Sequence, residues 1–189
     1  MNKEKHLTRE ELEDGLAEIR RSPKEDGSLE LIVRRPEVDE REELETAALS
    51  VEFGLVGDNW KTRGSSRTTD GFGHPEMQLN IMNSRAAALV ARNRSRWKLA
   101  GDQLYLDMDL SSENLPPGTR LAIGSAIIEV TAIPHTGCRK FVSRFGLDAM
   151  KFVNSPEGRA LNLRGINAKV VKEGKIALGD VAKKVESFG

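Results

Sequence analysis

The chain has 189 residues, sets 29 Lys and Arg against 29 Asp and Glu, and is 38% hydrophobic; it can build one folded core and is not a disordered chain. No apolar run nears the roughly 20 residues that span a bilayer, and the opening MNKEKHLTREELEDG lacks the apolar stretch of a secretory signal, so a cytoplasmic protein without a membrane partner is expected. Residues 1–50 hold 15 acidic against 9 basic side chains and the rest 14 against 20, a dispersed basic excess that suits a small anionic ligand and lacks the dense stripe of a nucleic-acid binder.

Thr8-Arg9-Glu10-Glu11 has the form of a capping box, and Leu12, Leu16 and Ile19 follow at helical spacing, which predicts an amphipathic helix over 9–21. SLELIVRR (28–35) reads as a strand ended by Pro36, and the acidic stretch 37–50 as helical toward EELETAALS. MQLNIMN (77–83) is strand-like, with Ser84 capping a helix over RAAALVARNRSRW. QLYLDMDL (103–110) alternates apolar and polar residues, and TRLAIGSAIIEVTAI reads as two strands meeting at Gly124-Ser125. GLDAMKFVNS is helical, and INAKVV (166–171) with KIAL (175–178) reads as a hairpin about Glu173-Gly174. Short strands, tight turns and few helices predict a β-rich, mixed α+β fold: a β-barrel with peripheral helices and an N-terminal amphipathic helix.

Cys138, in PHTGCRKF (134–141), is the only cysteine, so no internal disulfide is possible. Pro134 ends the preceding strand, which places the thiol in a loop. Arg139, Lys140 and His135 are three potential cations that would favour the thiolate, the form needed for nucleophilic attack, sulfur transfer or ligation of a soft metal. The ordinary alternative is a buried, inert cysteine. His6, His74 and His135 have no ligand spacing with one another, so a metal site built from side chains alone is not expected. A Cys–His hydrolase dyad is a further alternative. In GLVGDNWKTRG (54–64), Gly57, Asp58, Lys61 and Arg63 form a polar turn able to cradle an anion, although it matches neither the Walker nor the dinucleotide pattern.

GLVGDNW, QLNIMN, GDQLYLDMDLSSENLPPGTRLAIGSAIIEVTAIPHTGCRKF and RGINAKVVKEGKIALGD, in that order, resemble the MOSC domain, a family named after the C-terminal domain of molybdenum cofactor sulfurase. The resemblance covers 28–181; it makes 1–27 an N-terminal helical extension and 182–189 a tail. It implies a β-barrel in which Cys138 carries the function. As a sulfur carrier it would take a persulfide sulfur from a pyridoxal-phosphate cysteine desulfurase and pass it to a metal–sulfur acceptor protein. As a metal ligand it would hold the molybdenum of a pterin cofactor. His135 and Arg139 would then assist at the sulfur, while Gly57, Asp58, Lys61, Arg63, Lys140 and Arg164 would contact the anionic cofactor. The loop that reads GDRH in many relatives is GDNW here, so a role for that histidine does not transfer. A competing expectation is a docking module without chemistry, using the Leu12/Leu16/Ile19 face to bind a desulfurase or another partner.

Overall fold

The structure, a computed structural model, describes residues 5–185. Thr8 caps helix α1 (Arg9–Asp14) as expected: its Oγ1 accepts from the Glu11 amide at 3.3 Å, and the Glu11 carboxylate accepts from the Thr8 amide at 2.7 Å. The expected single helix over 9–21 is interrupted at Gly15 and resumes as α2 (Leu16–Ile19). Gly15 lies so close to Leu89 that any side chain there would collide with it.

Strand β1 (Gly27–Arg34) follows, with Leu29, Leu31, Ile32 and Val33 all buried. Its register with a later strand shifts between Leu29 and Leu31. This bulge lets Leu29 and Ile32, three residues apart, both face the barrel interior, while Leu31 and Val33 face a helical layer outside it. The segment expected to be helical toward EELETAALS instead forms β2 (Glu42–Leu44) and β3 (Thr46–Ser50). Pairing of β2 with the end of β1, and of β3 with two further strands, overrides the helix preference of Glu and Ala. The chain continues through β4 (Gly54–Leu55), α3 (Trp60–Arg63) and β5 (Leu79–Asn83). Asn83, rather than Ser84, caps α4 (Ser84–Ala91) by accepting from the Ala86 amide. That helix ends at Arg92, and residues 94–100 are a 3-10 helix.

The remaining elements are β6 (Leu104–Asp107), β7 (Arg120–Ile123), β8 (Ala126–Val130), α5 (Arg139–Phe145), α6 (Leu147–Val153), α7 (Pro156–Ala160), β9 (Ile166–Lys172), β10 (Gly174–Ala177) and β11 (Val181–Val185). Seven strands close a barrel in the order β11-β7-β8-β9-β5-β6-β1, with β11 pairing back to β1; β2 is appended to β1. Only β5–β6 is parallel among these pairs. The β-rich mixed fold expected from the sequence is thus observed.

Two expectations fail here. β9 and β10 are not a hairpin: β9 pairs with β5 and β8, whereas β10 leaves the barrel to join β3 and β4 in a separate sheet. The alternation read in QLYLDMDL is not mirrored in burial at its start, where Gln103 and Tyr105 are as buried as Leu104 and Leu106, and it returns only at the half-buried Asp107 and Asp109. Leu104 and Leu106 fill the barrel, while Tyr105 packs beneath the helices and donates to the Trp97 carbonyl at 2.8 Å.

The helices cover one side of the barrel with a second core that includes Leu12, Ile19, Val90, Phe141, Phe145 and Phe152. Leu12 is fully buried and Ile19 nearly so, so this stripe serves the protein's own core and is not an exposed docking face. At the other end, β11 carries the barrel past residue 181 as far as Val185, with Ala182 buried. Among the described residues no helix is long and apolar enough to cross a membrane.

Candidate functional site

Pro36 ends the first strand just after Arg35, and this turns the Arg35 guanidinium under one end of the barrel. Its Nε and Nη2 each donate at 2.8 Å to Asp58, and its Nη1 donates to Asn80 and to the Gly101 carbonyl. Asp58 also accepts from the Arg35 and Trp60 amides, so its carboxylate is wholly engaged within the protein. The polar chain continues from the Asn80 amide to Asn167 at 2.6 Å, and from Asn167 to the Ile133 carbonyl at 2.8 Å. A buried, fully satisfied network thereby ties the 54–64 loop to the start of the cysteine loop.

The cysteine loop is pinned at Gly137. The Asn154 side chain accepts from the Gly137 amide at 2.9 Å and donates to its carbonyl at 3.1 Å. A side chain at this position would crowd Met150, Val153 and Asn154, each about 3.2–3.3 Å away. Cys138 then stands exposed at the start of α5, its thiol making no capping bond. Arg139 is also exposed, whereas Lys140 reaches away to Asp39 at 3.0 Å.

His135 turns inward, with Nδ1 3.4 Å from Oδ1 of the fully buried Asp102. The other Asp102 oxygen accepts from Arg164 Nη1 at 2.7 Å, and Arg164 Nη2 donates to the Ala100 carbonyl. Gly165, in left-handed backbone at φ +112°, makes room for the imidazole: a Cβ there would stand 3.2 Å from His135 Nδ1. Burial, reinforced by Arg164, Arg35 and Arg63, holds His135 well below the usual histidine range. Burial pushes Asp102 above the usual carboxylate range, against the pull of Arg164. Asp102 Oδ1 and His135 Nδ1 face each other across this gap, and both are buried without a hydrogen-bond partner among the described residues. Of the three cations expected around the thiol, burial keeps His135 neutral near pH 7 and Lys140 is drawn to Asp39, which leaves Arg139.

Positive charge nevertheless accumulates in this region. Gly101 marks its centre: a Cβ there would lie 3.7 Å from Arg144 Nη1 and 3.8 Å from Arg41 Nη2, and its carbonyl already binds Arg35. Arg164 stacks over Phe141, one helical turn from Cys138, at 5.1 Å to the ring centroid. Burial and the neighbouring Arg144 and Arg35 lower Arg41, while burial and Arg35 lower Arg63. Three aspartates answer this charge: Asp58 is taken by Arg35, Asp102 by Arg164, and Asp39 by Lys140 and Arg144. Among the described residues Arg41 and Arg63 have no carboxylate in contact, and Arg41 Nε is buried without a partner. Such crowding is stabilised by a bound anion.

Of the sequence-predicted residues, the structure brings His135 and Arg164 together around Asp102 and sets Arg63 near Arg35. Lys61 points elsewhere, to Glu52 and the face of Phe53. Gly57 supplies the left-handed turn (φ +83°) that lets the loop pass Arg34. Sequence reasoning missed Arg35, Arg41, Asp102 and Arg144. Only Arg35 carried a signal, as a cation directly before the proline that ends a buried strand. No group of three or more His, Cys, Asp or Glu among the described residues is placed to hold a metal ion.

No protein-family model matches the sequence, and neither does any curated protein. Among solved structures, YiiM from Escherichia coli superimposes with a TM-score of 0.56 at 18% identity, over 86% of this chain and 71% of its own. YuaD from Bacillus subtilis does so with a TM-score of 0.58 at 16% identity, over 85% of this chain and 97% of its own. YiiM is a MOSC-domain protein. The fold is MOSC-like. That likeness extends to the barrel and its helices; at these identities it says nothing of the chemistry at Cys138.

Proposed function

We propose that this MOSC-like protein binds an anionic molybdenum–pterin cofactor, with Cys138 as the thiolate ligand of the metal. The observation that carries the reading is the surplus of arginine beside the cysteine loop. Among the described residues Arg41 and Arg63 have no carboxylate in contact, Asp39 and Asp58 acting on them only from a distance while bound to other cations, and Arg41 Nε lacks any partner in a buried position. The residues present fit the group. A lone, exposed sulfur suits a metal whose other ligands come with its cofactor, and the unanswered guanidinium groups suit that cofactor's anionic part. When bound, the cofactor would supply two-electron redox chemistry. The protein's contribution would be to orient it: Asn154 holds the backbone before the sulfur, Arg41, Arg63 and Arg144 balance its charge, and the Asp102–His135 pair offers a neutral, oriented imidazole for proton transfer.

The exposure of Cys138 favours one second reading, a persulfide carrier. Its thiolate would attack the outer sulfur of a desulfurase persulfide, form a new S–S bond and release the donor cysteine as thiolate. Both readings are tested by elemental analysis and pterin fluorescence on protein purified from cofactor-competent cells. Molybdenum and pterin should co-purify with the wild type and be lost from Cys138→Ser, and Arg41→Gln with Arg63→Gln should lower pterin content. Wild-type protein free of molybdenum, or undiminished metal in Cys138→Ser, refutes the ligand role. Failure of the wild type to accept labelled sulfur from a desulfurase refutes the carrier.

A further inference from the structure

We propose that the cavity behind the cysteine loop binds a small, largely apolar organic anion that also carries one hydrogen-bond donor, with Arg159 taking the charge and His135 the donor. The cavity encloses about 310 Å³, within the range of small-molecule sites. Leu115, Pro117, Val130, Ile133, Val153 and Ile166 give it apolar walls, and Cys138 is not among its lining residues. No aspartate or glutamate lines it, while two arginines do.

Most of the lining polar groups are already committed. Arg164 is bound to Asp102 and the Ala100 carbonyl, and Asn167 spans Asn80 and the Ile133 carbonyl. The Asn162 amide donates to the Leu110 carbonyl, and the Ser112 hydroxyl to the Ala160 carbonyl. Besides the exposed Thr136 hydroxyl, one cation and one imidazole remain with specific capacity. The exposed Arg159 guanidinium has no ion pair or hydrogen bond among the described residues. His135 has its Nδ1 turned to Asp102, and its Nε2 makes no hydrogen bond among the described residues. The proposal places the proton of the neutral ring on Nδ1, toward the Asp102 carboxyl group, which makes Nε2 an acceptor and the ligand group facing it an O–H or N–H. An apolar body that carries one anionic group and one donor matches this lining.

The proposal does not rest on the reading of Cys138, and its test keeps the two apart. Naphthoate titrated into the intact protein, followed by amide NMR shifts, should bind saturably with a dissociation constant of about 1 mM or tighter, and neutral naphthamide about fivefold or more weakly. Hydroxynaphthoate should bind more tightly than naphthoate to the wild type and equally to His135→Leu. Arg159→Gln, a surface change, should bring naphthoate down to the level of naphthamide, and Thr136→Trp, at an exposed lining position, should block the cavity while circular dichroism remains native. Cys138→Ser should bind as the wild type does, whatever its metal content. No saturable binding at about 10 mM, equal affinity for naphthamide, or indifference to Arg159→Gln overturns the proposal. Loss of binding in Cys138→Ser overturns its independence from the thiol.

Discussion

Asp58 was a candidate cofactor contact from sequence, yet the structure gives it four bonds to Arg35 and Trp60, and Asp58→Ala separates the two roles. The Arg35 and Asp58 side chains are 3% and 0% exposed. Removing the carboxylate leaves a buried guanidinium with only Asn80 and the Gly101 carbonyl, and strands the Arg35 and Trp60 amides as well. Breaking a buried ion pair from one side costs about 3–5 kcal/mol. For a chain of this size a loss of about 4 kcal/mol lowers Tm by about 8–16 °C. Urea and thermal unfolding, followed by circular dichroism, measure it. Arg35→Met with Asp58→Leu should recover more than half of the loss, because no unpaired charge stays buried. A cost below about 1 kcal/mol for Asp58→Ala, or strict additivity of the double variant, would refute this account and return Asp58 to the list of free anion-site residues.

Leu12→Ala should destabilise by about 2–4 kcal/mol in the same unfolding assay, since the side chain is fully buried in the helical core; a neutral result would make the N-terminal helix an attachment. Asn154→Ala removes both clamps on Gly137 and should cost about 1–2 kcal/mol, with faster hydrogen exchange at the Gly137 amide; unchanged exchange would mean the loop is held by packing alone. His135 is neutral in the folded state well below the pH at which it charges in the unfolded chain, so the unfolded state binds the extra proton. Its contribution to stability is therefore complete above about pH 6.5 and declines as pH falls below that, by up to about 1.4 kcal/mol per pH unit. The stability difference between wild type and His135→Gln should shrink from pH 7 to pH 5, and a difference that grows would place a charged imidazole in the fold.

Alternating Arg120–Ile123 and Ala126–Val130, the turn at Gly124, the capping box at Thr8 and the helix Leu147–Val153 were all legible along the chain, because each depends on neighbours a few residues away. Motif order carried the barrel itself. EELETAALS escaped because pairing with β1, β4 and the distant β10 outweighed the helix propensity of its own residues. Tyr105 and Gln103 escaped for a related reason: a strand covered on both faces loses the alternation that marks a half-wet one.

The site divides along the same line. One cysteine between glycine and arginine was visible as a candidate thiol in the sequence alone, since its chemistry belongs to the residue and its immediate neighbours. Neutral His135, the buried and unpartnered Nε of Arg41 and committed Asp58 were decided only by the tertiary structure. Charge state in a folded protein is set by burial and by which cations and anions meet across the chain, and the 32 residues between Asp102 and His135 conceal a 3.4 Å approach.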